Sequence, residues 1–160
     1  MTILNPAGRW VRILALQLVA LVLTSCAHGE SPQAESHHAE EGGTVNVVLK
    51  EWFVLPDKLA IDDGRVTFKV ANHGRMDHEF IVIKTTIQVH ELPVHEKGLD
   101  EKRAGKMMGE IEDIRPGEVR ELTIDMPPGK YVLFCNRVET EDHKIISHYR
   151  NGMRVGFTVR

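Results

Sequence analysis

Between Tyr131 and Val159 the chain reads YVLFCNRVETEDHKIISHYRNGMRVGFTV, with a thiol at Cys135, an imidazole at His148 and a thioether at Met153. Cys135 ends one apolar run and Met153 stands just before another, so all three lie at the margins of two predicted strands and the polar loop between them. Thiolate and thioether are soft donors and imidazole is borderline, a combination that favours copper. Two His and one Cys with a weak axial Met is the donor set of a blue-copper centre. His143 lies in the same loop as His148, and another histidine has to come from elsewhere in the chain.

The elements that must hold these groups read as strands. Val45, Val47 and Leu49 alternate with Asn46, Val48 and Lys50, and Val66, Phe68 and Val70 alternate with Arg65, Thr67 and Lys69. Residues 79–84 form a short β-branched and aromatic run; Leu122, Ile124 and Met126 share a face; Val155, Phe157 and Val159 alternate at the C-terminal end. Period-two alternation marks half-buried strands, and Gly and Pro turns such as Asp62-Asp63-Gly64 and Pro127-Pro128-Gly129 separate them. The expectation is an all-β fold, an antiparallel Greek-key β-sandwich over residues 44–160. One stretch departs from the pattern. Residues 85–113 are charged and lack alternation, and 99–108 predict a short helix in a surface excursion. Glu110, Glu112 and Asp113 are expected on a solvated face, and His90 and His95 on the surface of the excursion.

Two histidines stand between the second and third of these strands. His73 is in mid-turn, whereas His78 immediately precedes a strand that could hold it rigidly. Here the chain resembles the bacterial cupredoxins of the plastocyanin and azurin type. In that family a loop of the form N-x-G followed by H-E-F supplies the first ligand, a strand ending P-G-x-Y-x-x-x-C supplies the thiolate, and H-Y-x-x-G-M supplies the other two. These elements stand here as Asn72-His73-Gly74 with His78-Glu79-Phe80, as Pro128-Gly129-Lys130-Tyr131-Val132-Leu133-Phe134-Cys135, and as His148-Tyr149-Arg150-Asn151-Gly152-Met153. The resemblance implies one copper ion, cycling between Cu(I) and Cu(II), held by His78, Cys135, His148 and Met153. It also implies that His148 reaches the surface through an apolar patch as the electron port. Four protein ligands leave no open coordination position, so no enzymatic activity is expected. One departure concerns the ligand loop: twelve residues separate Cys135 from His148, where familiar members have two to four. That leaves His143 as an alternative imidazole, and the motif ending in Met153 favours His148.

The N-terminal part supplies a location. Residues 1–25 carry Arg9 and Arg12, then an apolar run over 13–23 that is too short to span a bilayer comfortably and fits an export signal. Leu23-Thr24-Ser25-Cys26 resembles the lipobox of bacterial lipoproteins, which implies cleavage before Cys26 and its acylation. Residues 26–43, rich in Glu, Ser, His, Gly and Ala, read as a flexible tether that cannot bury enough apolar surface to order itself. With 160 residues and a net charge of −3, nothing points to nucleic acid as a partner. The two cysteines, Cys26 and Cys135, have separate explanations, and no disulfide is expected. The reading is a monomeric, lipid-anchored electron-transfer protein of the bacterial cell envelope, facing the periplasm or exterior and serving redox partner proteins. The alternative is an envelope copper-handling protein for storage, delivery or resistance, motivated by His28, His37, His38, His90 and His95 with Met76, Met107 and Met108.

Overall fold

The computed structural model describes residues 42–160. The expected leader, Cys26, and His28, His37 and His38 of the expected tether lie outside the described residues. In chain order the strands are β1 (Gly43–Lys50), β2 (Phe53–Pro56), β3 (Ala60–Ile61), β4 (Gly64–Asn72), β5 (His78–Lys84), β6 (Val94–His95), β7 (Gly98–Leu99), β8 (Lys106–Ile114), β9 (Val119–Met126), β10 (Gly129–Phe134), β11 (Val138–Glu141), β12 (Lys144–Ser147) and β13 (Arg154–Val159). One short helix, α1 (Glu101–Ala104), and a 3-10 turn at Val89–Glu91 accompany them.

Two sheets face each other, one ordered β2-β1-β4-β9 and the other β3-β13-β10-β5-β8. Alternation supplies the layer between them: Val45, Val47 and Leu49 of β1, Val66, Phe68 and Val70 of β4, Phe80 and Val82 of β5, Tyr131 and Leu133 of β10, and Phe157 and Val159 of β13 are all buried in one cluster. The all-β sandwich read from the sequence is the observed fold. It is not antiparallel throughout, however. β1 pairs β4 in parallel, and β3 pairs β13 in parallel. The segment between β1 and β4 visits the edge of the second sheet as β3 before returning, and a link of about a dozen residues is what a parallel crossover requires.

The excursion also differs from expectation. Its helix is only four residues long, and Lys106–Ile114 is a full strand on the edge of the second sheet. Alternation is lost there because the pairing with β5 shifts register twice, between His78 and Phe80 and between Val82 and Ile83; such bulges break the period. The charged residues that disguised this strand, Lys106, Glu110, Glu112 and Asp113, are exposed along an edge, where charge discourages pairing with other chains.

The rest of the excursion covers the outer face of the second sheet. Leu92, Leu99 and Ala104 pack there with Ile81 and Ile83 of β5, Val132 and Phe134 of β10, and Tyr149. Strands β5 and β10 are therefore buried on both faces, which is why FIVI and YVLF read as continuous apolar runs. These two strands are the rigid centre of the molecule, and His78 and Cys135 stand at their ends.

Candidate metal centre

Period two fixes the direction of the first two donors. His78 shares a face with Phe80 and Val82, and Cys135 shares one with Tyr131 and Leu133, so both point into the space between the sheets. The loop before His78 is held from two sides. Asn72 is fully buried; its Nδ2 donates to the carbonyls of Met76 and Ile114, each at 2.8 Å, and its Oδ1 accepts from Gly74 N–H at 2.8 Å. Glu51, in the β1–β2 turn, accepts at one oxygen, Oε1, from Arg75 N–H at 2.7 Å and Met76 N–H at 2.8 Å. A side chain at position 74 would run into the Glu51 carboxylate and come within 2.9 Å of His78 Nε2, so the N-x-G pattern answers a steric need.

The twelve residues between Cys135 and His148 form an orderly insertion. β11 and β12 pair over Val138↔Ser147 to Glu141↔Lys144. Asp142 and His143 form the tip with φ of 48° and 64°, as a two-residue hairpin turn with both central residues left-handed requires. His148 N–H donates to the Arg137 carbonyl at 2.9 Å, closing the hairpin at its base. The insertion thus returns the chain to the place it left, two residues after Cys135. His143 is exposed at the tip, far from this base along the hairpin. Beyond it, Met153 N–H donates to the His148 carbonyl at 3.1 Å and Cys135 N–H to the Met153 carbonyl at 3.0 Å, which ties the backbone of a fully buried Met153 to those of both ligands.

Three donors converge. His78 Nδ1 lies 3.1 Å from His148 Nδ1, and Cys135 Sγ lies 3.3 Å from His148 Nδ1 and 4.0 Å from His78 Nδ1. These three residues are fully buried and form the one candidate metal cluster among the described residues, with donor atoms all within 4.8 Å of one another. A triangle of these edges has a centre roughly 2 Å from each corner, the length of a transition-metal bond to imidazole. Copper, which the fold and the donor set imply, fits the residues present.

Burial sets the charge state of the three donors. Burial pushes the Cys135 thiol up to about 12. Burial, and then the neighbouring His78, hold His148 down at about 4; burial also lowers His78 against the pull of Glu51. Both imidazoles are therefore neutral and ready to coordinate, and the thiol has to release its proton to a metal. Around the triangle the packing is tight. Glu79 N–H points at Cys135 Sγ at 3.4 Å, and Glu79 Oε1 accepts from Asn136 N–H at 2.7 Å. Asn136 in turn binds both backbone groups of Leu99 and the Glu101 carboxylate, tying the excursion to the site. Arg137 reaches Asp113 at 2.6 Å, Glu139 at 3.4 Å and Asp77 at 3.7 Å.

The family resemblance implies His148 at the surface. The structure corrects this: His148 is 0% exposed. The Trp52 ring meets it edge-on at 5.3 Å, and the inserted hairpin brings Glu139 Oε1 to 3.8 Å from its Nε2. Glu51, Trp52 and Glu139 were not singled out in the sequence, because a Glu-Trp pair in a turn carries no local signal of the imidazoles it will meet. Glu51 Oε1 lies 3.4 Å from His78 Nε2, so this dipeptide touches both histidines. Burial raises the Glu51 carboxyl, but the N–H groups of Met76, Arg75 and Glu51 itself outweigh it and leave the group below its usual range. The other candidates stay apart. His73, His90 and His95 are exposed at separate places, Met107 is exposed on β8, and Met108 packs at the margin of the inter-sheet core.

A family model for the cupredoxin-like domain matches residues 13–146. It ends before His148 and Met153, whose placement rests on the geometry above. Among solved structures the chain is similar to dithionite-reduced auracyanin from the photosynthetic bacterium Roseiflexus castenholzii, 19% identical over 75% of this chain and 98% of that one, with a TM-score of 0.53. It is similar also to auracyanin B, 16% identical over 75% and 90% of the respective chains, with a TM-score of 0.51. At these identities the likeness is one of fold. No curated protein sequence matches the chain.

Proposed function

Because this chain belongs to the cupredoxin-like domain family, we propose that it is a mononuclear blue-copper protein that carries single electrons in a bacterial cell envelope. The observation that carries this reading is the convergence of two imidazole Nδ1 atoms and one thiol in a fully buried triangle, with Met153 tied through its backbone to His148 and Cys135. Bound there, copper supplies a one-electron Cu(I)/Cu(II) couple. The chain supplies rigidity: His78 and Cys135 stand at the ends of strands buried on both faces, and His148 and Met153 are tied back by backbone hydrogen bonds. Donors that cannot move favour electron gain and loss without rearrangement. Four protein donors around one ion leave no open coordination position, which supports a carrier over an enzyme.

The leader and lipobox support anchoring through Cys26 with residues 26–43 as a tether, so that the domain can reach redox partners in the envelope. Labelled fatty acid incorporated by the full chain and lost in Cys26→Ser tests the anchor. Copper handling is the competing role, and one cluster among the described residues with scattered histidines elsewhere favours the carrier. Copper stoichiometry with voltammetry separates the two. One tightly held ion with a reversible one-electron wave is expected; several exchangeable ions without such a wave would contradict the carrier reading.

A further inference from the structure

Both imidazoles turn Nδ1 into the donor triangle. On the copper reading proposed above, on which this inference rests, each ring therefore carries its proton on Nε2. A buried N–H needs an acceptor, and metal-bound imidazoles commonly find a carboxylate there. Neither Nε2 makes an aligned hydrogen bond within the structure. Yet each faces one carboxylate within ion-pair reach: Glu51 Oε1 at 3.4 Å from His78 Nε2, and Glu139 Oε1 at 3.8 Å from His148 Nε2.

We propose that Glu51 and Glu139 are paired positioning residues of the metal centre, each accepting the Nε2–H of one histidine and together holding two negative charges behind the site that lower its reduction potential. The two arrive from unrelated elements. Glu51 is in the β1–β2 turn, where Arg75 and Met76 N–H groups already fix its Oε1. Glu139 is on β11, where Arg137 steadies it at 3.4 Å. The hairpin inserted between Cys135 and His148 thereby gains a function, since it covers His148 and delivers the second carboxylate. The sign follows from charge. The oxidised centre carries one more positive charge than the reduced one, so nearby carboxylates stabilise it preferentially and make the centre a weaker oxidant. Glu51 is the stronger of the two, being nearer to its ring and less exposed, 23% against 32% for the side chain.

The test uses the copper-loaded full chain. Glu51→Gln and Glu139→Gln each keep an oxygen acceptor and remove a charge, so a purely structural role would leave the potential where it was. The expected result is an upward shift in both variants, larger for Glu51→Gln and largest in the double variant. Nitrogen NMR of the wild-type Cu(I) protein should show both rings protonated on Nε2, with each N–H shifted as in a hydrogen bond to a carboxylate, and this tests the acceptor role even if a variant does not fold. Potentials unmoved or lowered in both variants, or Nε2–H groups without a carboxylate acceptor, would overturn the inference while leaving the copper reading intact; ring protons on Nδ1 would overturn both. A wild-type chain that takes up no copper would overturn that reading, and the inference with it.

Discussion

Burial of His148 turns into a pH dependence with a definite sign. Its folded value is about 4 against an ordinary 6.5, so as pH falls from 6.5 the unfolded chain takes up a proton that the fold refuses. Stability of the metal-free protein should be full above that window, decline through it by up to about 3 kcal/mol, and level off below 4. The lowered His78 acts in the same sense, and Glu79, raised by burial, in the opposite one. The difference between wild type and His148→Gln in denaturant melts across that range isolates the effect; parallel curves would refute it. Met153 offers a second prediction. Met153→Leu conserves volume in a full core and should cost less than about 1.5 kcal/mol, keep the colour, and raise the potential by removing a weak donor; voltammetry reads it. Cys135, His78 and Met153 were legible because a soft or borderline donor beside a strand is a local pattern. Glu51 and Trp52 were not, because what they touch is decided by where the β1–β2 turn lands.

At the scale of elements, the long ligand loop was the least legible part, and it proves to be a hairpin that closes on itself. Polar, charged residues gave it no alternation to read, and the sign of a two-residue turn, Asp142-His143, lacked the usual glycine. That turn carries a removable cost. His143 sits at φ 64°, where a side chain costs about 1 kcal/mol relative to glycine. His143→Gly should stabilise the protein by roughly that amount and leave copper affinity unchanged, measured by thermal unfolding and competition with a chelator. Loss of copper in this variant would return the ligand role to His143. Strand β8 was hidden for a different reason: two register shifts against β5 erased its period, and edge charges made it look like a solvated loop.

For the whole molecule, the sandwich was legible because each core strand announces its inner face, whereas the second core was announced only indirectly, by strands without a polar side. Leu99 links that outer core to the metal centre, being 1% exposed and bound through its backbone to Asn136. Leu99→Ala should cost about 2–5 kcal/mol in thermal or chemical unfolding yet keep all four donors; an unchanged stability would mean that the excursion is decoration. A blue-copper centre here requires Cys135 to bond copper as a thiolate. The most direct measurement is the visible spectrum of the chain on adding Cu(II), beside that of Cys135→Ser. An intense thiolate charge-transfer band that saturates at one copper and vanishes in the variant is the predicted result; a colourless wild type, or colour that survives the substitution, would contradict it.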